Sequence, residues 1–101
     1  MREDLIKTED AVVSAIVLQA GEQAPWHLHT DSVEHLFCLV GSIEVQFQAP
    51  ERSVRLKPGE RCTVDAQRMH RLVNASGNPA QYLLVQDGEQ DFVEVDIAKA
   101  V

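Results

Sequence analysis

The sequence predicts an all-β fold, a sandwich or barrel of short strands, on three observations. Apolar residues alternate with polar ones and rarely recur at three-to-four spacing, turn signals punctuate the chain at close intervals, and 101 residues suit one domain. The clearest register is Ile43-Glu44-Val45-Gln46-Phe47-Gln48, apolar at odd positions and polar at even ones. Such a segment buries one face and wets the other. Closing many short strands into a barrel also hides their edges.

In chain order, the expected strands are Ala11–Leu18, Trp26–His29, His35–Val40, Ile43–Gln48, Val54–Leu56, Arg61–Val64, His70–Asn74, Gln81–Gln86 and Phe92–Val95. Between them lie Gly21, Gly41-Ser42, Ala49-Pro50, Lys57-Pro58-Gly59, Ser76-Gly77-Asn78-Pro79 and Asp87-Gly88, the residue types that terminate strands and build turns. There is no internal repeat, linker or low-complexity tract. The opening MREDLIKTED carries acids at positions 3, 4, 9 and 10, which is not the pattern of a signal peptide. The longest apolar stretch, Ala11 to Leu18, is interrupted by Ser14 and is too short to cross a bilayer. A cytoplasmic location is the default expectation.

Nine basic and sixteen acidic side chains give a formal net charge of −7, and the basic residues are scattered singly from Arg2 to Lys99. Nucleic acid and anionic membrane surfaces are disfavoured as partners, because both need a clustered basic face. A hydrophobic share of 45% and a charged share of 25% match a globular domain that folds alone. Cys38 and Cys62 stand apart in strand-like surroundings and read as reduced packing residues, with a thiol near a metal as the alternative.

His27 and His29 lie two residues apart on an expected strand, so both side chains point to one face and their imidazoles can converge on one ion. Glu34, after a short turn, can add an oxygen ligand, while Leu28 points the other way. Four histidines in the chain give about 0.16 His-x-His pairs by chance, so the pair alone is weak. Adding Glu34 with Gly21 and Gly41 at fixed positions lowers the expectation to the order of 10⁻⁵.

In that combination the sequence resembles the cupin superfamily, whose first motif is G(X)5HXH(X)3–4E(X)6G. Gly21, His27, His29, Glu34 and Gly41 match it at every fixed position. The second motif, G(X)5PXG(X)2H(X)3N, is met by Gly59, His70 and Asn74, with Asp65 and Gln67 in place of its Pro and Gly. Those departures bear on the turn before the last ligand more than on the ligand itself. The resemblance implies a cupin-type jelly-roll β-barrel over residues 1–101, its motifs within 21–74. It also implies one divalent transition metal, Fe, Mn, Ni, Co, Cu or Zn, bound by His27, His29, Glu34 and His70. Such a donor set suits any of these ions, and availability decides between them.

Beside Glu34, His35 should face away. Trp26 next to Pro25 reads as a packing residue, with the cavity mouth as the alternative, and Asn74 as a residue that satisfies backbone groups in a turn. Counting by twos from Glu34 and His70 places Leu36, Cys38, Val40 and Leu72 inside, with Arg68, Met69 and Tyr82 as candidates for the rim. The expected function is a metal-dependent enzyme, dioxygenase-, isomerase- or decarboxylase-type, acting on a small oxygenated molecule. Glu34 would serve as ligand and, on dissociating, as general base. A non-catalytic small-molecule binding or sensing module is the alternative. A homodimer is expected, because outward apolar residues such as Leu28, Phe37 and Leu39 need cover.

Overall fold

The computed structural model describes residues 1–96, and the end of the expected domain, residues 97–101, lies outside the described residues. The elements are β1 (Arg2–Lys7), β2 (Ala11–Leu18), β3 (His27–Leu28), β4 (Ser32–Val40), β5 (Ile43–Phe47), β6 (Arg52–Leu56), β7 (Arg61–Val64), β8 (His70–Val73), β9 (Ala80–Gly88) and β10 (Val93–Glu94). They form two five-stranded antiparallel sheets, ordered β1-β2-β9-β4-β7 and β10-β3-β8-β5-β6. Among the described residues no helix is long and apolar enough to cross a membrane.

Alternation decides what lies between the sheets. From β4, Ser32, Glu34, Leu36 and Cys38 face inward; from β5, Ile43, Val45 and Phe47; from β9, Ala80, Tyr82, Leu84 and Gln86. Leu36, Cys38, Ile43, Val45, Leu56, Val64 and Leu72 form one apolar core. Burying each large aliphatic chain contributes about 1.5–3 kcal/mol before the entropy of ordering it is subtracted. The core occupies one part of the interior, and the polar inward residues gather in another. Asn74 is fully buried and satisfied: its amide donates to the carbonyls of Leu18 and Asn78, and its Oδ1 accepts from the backbone and hydroxyl of Ser76.

Four features differ from the sequence expectation. Strand β1 was not expected, since all six of its residues are exposed and show no apolar alternation; its pairing with β2 makes it a strand. Counting by twos places Val40 inside, yet a register shift between Cys38 and Val40 turns it outward, 54% exposed. A bulge of this kind adds a residue to one strand and resets the alternation. Asp87 and Gly88, expected as a turn, continue β9 to its end. There Gly88 takes φ +120°, and a Cβ on it would lie 2.6 Å from the Asp31 carbonyl oxygen, so only glycine fits. Arg68 and Met69 do not reach the rim of the cavity described below. The Arg68 guanidinium stacks over Phe47 at 4.8 Å and donates to the carbonyls of Gln48 and Pro50.

Gln67, which stands where the second motif has glycine, adopts φ +65°. The left-handed turn is kept despite the side chain, and the Gln67 N–H donates to the carbonyl of His29 at 2.6 Å. The conformation costs a non-glycine residue about 1–2 kcal/mol, against roughly 0.5–1 kcal/mol of extra unfolded-state entropy for glycine. Gln67→Gly is therefore expected to raise stability by about 0.5–1 kcal/mol in urea unfolding. A loss of stability would show that the Gln67 side chain contributes more than its backbone strain removes.

Candidate metal centre

Two sheets and one loop supply the four expected donors. His27 in β3 is the direct antiparallel partner of His70 in β8, Glu34 faces them from β4 of the other sheet, and His29 follows β3. All four are buried, and one donor atom from each lies within 4.8 Å of all the others. Ligand atoms around an ion with bonds of about 2.0–2.2 Å lie roughly 3–4.4 Å apart, so a small contraction would complete the set.

The hydrogen bonds behind the donors fix which atoms point inward. His27 Nδ1 meets the Pro25 carbonyl at 2.9 Å, His70 Nδ1 meets the Arg68 carbonyl at 2.7 Å, and His29 Nδ1 meets the Asp91 carbonyl. A carbonyl only accepts, so each Nδ1 carries the proton and each ring turns its Nε2 toward the centre, where the neutral form offers a lone pair. Backbone anchoring of this kind orients metal-binding imidazoles. Glu34 Oε1 lies 2.6 Å from His70 Nε2 and 2.8 Å from His29 Nε2. The latter contact is not aligned as a hydrogen bond, and His29 Nε2 has no other partner among the described residues. With the rings neutral, three lone pairs and a carboxylate packed together and shielded from water repel one another unless a cation lies between them, and without a metal a proton must fill the 2.6 Å contact between His70 Nε2 and Glu34 Oε1. The residues present therefore fit a divalent metal ion.

Without the metal, protons take part of that role. Burial pulls His27 down to about 4, helped by the charge of His70. Burial also depresses His29 and raises Glu34, but their mutual contact outweighs it. His29 is shifted upward, and Glu34 falls to about 2 with help from His70.

A second tier of residues holds the site in place. The Asp91 carboxylate accepts from the Thr30 backbone N–H at 3.0 Å and from its hydroxyl at 2.5 Å, fastening the segment before β10 to the loop after His29. Gln86 Nε2 donates to Ser32 Oγ at 2.9 Å beside His29. Phe92 stacks on His27 with ring centroids 4.2 Å apart. Sequence reading missed Asp91, Gln86 and Phe92 as site residues. Their contacts with the site span about sixty residues of chain, and no local period marks them.

A cavity of about 310 Å³ opens beside the donors. Its walls include Val12 and Ile16 of β2, Leu72 of β8, and Tyr82, Leu84 and Gln86 of β9, with Arg2, Asp4 and Lys7 of β1 at its edge. Leu72 and Tyr82 thus lie where the sequence expected them, and Leu36 and Cys38 are inside as expected, packed in the apolar core rather than on the cavity. His35 contacts Thr63 Oγ1 and stays outside the cluster, and Trp26 lies under the Arg71 guanidinium away from the cavity. Cys38 and Cys62 are both free thiols outside the donor group.

Comparison with known proteins gives a consistent picture. A family model described as a cupin domain matches residues 15–86. No curated protein matches. Among solved structures, a conserved double-stranded β-helix protein from Klebsiella pneumoniae is 20% identical with a TM-score of 0.83, over 95% of this chain and 84% of that one. The polyketide cyclase RemF of Streptomyces resistomycificus is 21% identical with a TM-score of 0.81, over 95% of this chain and 70% of that one. The DMSP lyase DddQ of Ruegeria pomeroyi has the same identity and TM-score, but the match covers 94% of this chain and only 51% of the lyase, so this chain spans about half its length. At these identities the likeness concerns the fold.

The titration shifts lead to a stability profile. His27 has a folded value near 4 against an ordinary 6.5, so in that window the unfolded chain binds the extra proton and stability falls as pH falls. Metal-free protein is expected to lose roughly 2 kcal/mol between pH 6.5 and 4.5, read from urea midpoints, and His27→Asn should flatten the slope. Below pH 4.5 the depressed Glu34 adds a second loss. A wild-type midpoint constant across the first window would contradict the assignment of a neutral, buried His27.

Proposed function

The chain belongs to the cupin family, and on that basis we propose that His27, His29, Glu34 and His70 hold one divalent transition metal per chain. The adjoining cavity is then the active site of an enzyme acting on a small oxygenated organic molecule. The observation that carries this reading is the orientation of three imidazoles by backbone carbonyls so that their lone pairs and a buried carboxylate meet. A divalent ion bound there supplies Lewis acidity toward an oxygen of the ligand.

The chain's own residues supply the rest. Val12, Ile16, Leu72 and Leu84 exclude water from one side of the cavity, which strengthens every electrostatic contact inside it. Glu34 is the carboxylate that could take a proton from the ligand. While His29 and His70 face it, its depressed pKa makes it a good ligand and a weak base. Proton abstraction falls to it only once one of those contacts opens. The Thr30–Asp91 clamp keeps His29 aimed at the centre during such a change. Cupin neighbours named as a lyase and a cyclase support small-molecule chemistry in this fold without choosing a reaction.

The direct test is elemental analysis of the protein as isolated and after reconstitution. About one metal per chain is expected in the wild type, and a His27→Ala/His29→Ala double variant should lose it to a chelator. Stoichiometric metal in the double variant would overturn the site. With the site occupied, turnover screening against small oxo and hydroxy compounds separates an enzyme from a binding protein.

We further propose a homodimer. Leu28 and Phe37 are partly covered within the chain, but Leu39 and Val40 stand exposed at the end of β4, and Met1, Leu5 and Ile6 stand exposed on or beside edge strand β1. Light scattering at micromolar concentration is expected to give twice the 11.3 kDa chain mass. A monomeric mass would exclude it.

A further inference from the structure

One polar group in the cavity wall has no role in the site described so far. Tyr82 is only 6% exposed, lines the cavity, and has a hydroxyl that no group hydrogen-bonds among the described residues. Among the other polar side chains that line the cavity, Asp4 accepts from Ser14 Oγ at 2.6 Å and Gln86 donates to Ser32 Oγ at 2.9 Å. A buried tyrosine ordinarily finds a partner for its hydroxyl, and this one, accessible from the cavity rather than sealed in the core, is open to a ligand atom there.

Strand register gives the group a cationic neighbour. Arg2 pairs across β1 and β2 with Ile16, which pairs with Tyr82 on β9, so the three form one row across the sheet. Arg2 uses its Nε on Asp4 at 3.0 Å, and the rest of its guanidinium fork has no partner among the described residues. Lys7 also lines the cavity edge. An oxygen-rich anion would therefore meet donors along this wall, whereas a neutral ligand would leave the fork unused.

We propose that Tyr82 is a ligand-binding residue whose hydroxyl donates a hydrogen bond to the carboxylate of a small organic acid in this cavity, with Arg2 at the mouth drawing the anion in. The proposal rests on the cavity being the active site. It names the substrate class as singly charged hydroxy or oxo acids.

Tyr82 is the single tyrosine of the chain, so the tyrosine component of the ultraviolet difference spectrum, separated from that of Trp26, reports on this hydroxyl. The test titrates Mn-loaded protein with lactate and with acetoin, in which a methyl ketone replaces the carboxylate. Binding is followed by calorimetry, by the metal's magnetic resonance signal and by the tyrosine signal. Lactate is expected to bind more tightly than acetoin and to shift the tyrosine spectrum. Tyr82→Phe should weaken lactate about 10- to 100-fold with metal content unchanged, and Arg2→Gln should weaken it by a smaller factor. The wild-type tyrosine signal needs no variant, so it stands even if a variant folds poorly. Equal lactate affinity in Tyr82→Phe, with an unmoved tyrosine spectrum, overturns this inference and leaves the active-site reading intact. A metal signal that answers acetoin but not lactate overturns the acid as ligand. Silence toward both overturns the inference and the active-site reading together.

Discussion

The arrangement on which the rest depends is a repulsion. His27, His29 and His70 each donate through Nδ1 to a backbone carbonyl, so in their neutral forms three Nε2 lone pairs converge on the Glu34 carboxylate inside a buried pocket. Removing that carboxylate from water without a cation would cost several kcal/mol. The fold brings the groups together from different places. The β3–β8 pairing sets His27 beside His70, β4 delivers Glu34 from the opposite sheet, and the segment before β10 reaches back to hold His29. Losing any one of these placements would leave the others as unpaired polar groups. The polar end of the interior is therefore specified cooperatively.

The apolar end carries the stability that makes this possible. Leu36, Ile43, Val45 and Val64 are essentially inaccessible, and they lie on the same strands or sheets that carry the donors. Along β4 the inward row runs Ser32, Glu34, Leu36, Cys38, so a single strand passes from the site into the core within a few residues. A shift of β4 by one residue would turn Glu34 and Leu36 outward together. Core packing and ligand geometry are thus set by one register.

What could be read in the sequence was local or periodic. The Ile43–Phe47 alternation, the shared face implied by His27 and His29, and the outward turn of His35 all follow from a period of two. The resemblance carried His70, whose place in the donor group no spacing argument could have provided. Features without a local signature were missed. Strand β1 exists because β2 pairs with it, and its exposed residues show no alternation. The bulge after Cys38 reversed Val40, which counting alone put inside. Asp91 acts across sixty-one residues of chain, and even its carbonyl oxygen matters there, an atom that residue identity does not mark. Gln67 is the reverse case: the second motif's missing glycine raised doubt about the turn, yet the backbone takes the left-handed form with glutamine in place.

The site divides its tasks between the two sheets. His27 and His70, with the loop carrying His29, belong to the sheet that includes β3 and β8, whereas nearly all of the side wall comes from the other sheet through β1, β2 and β9. Glu34 is the donor on that second sheet, next to Gln86 in register. Changing a wall residue such as Ile16, Tyr82 or Leu84 alters the shape and polarity offered to a ligand without touching an imidazole or its carbonyl anchor. Changing an anchor does the opposite, loosening the donors while the wall stays in place. A scaffold built this way can keep its donor geometry while the compound it accepts varies. The polyketide cyclase and the DMSP lyase each match this fold at 21% identity to this chain, and a shared fold does not by itself decide the reaction.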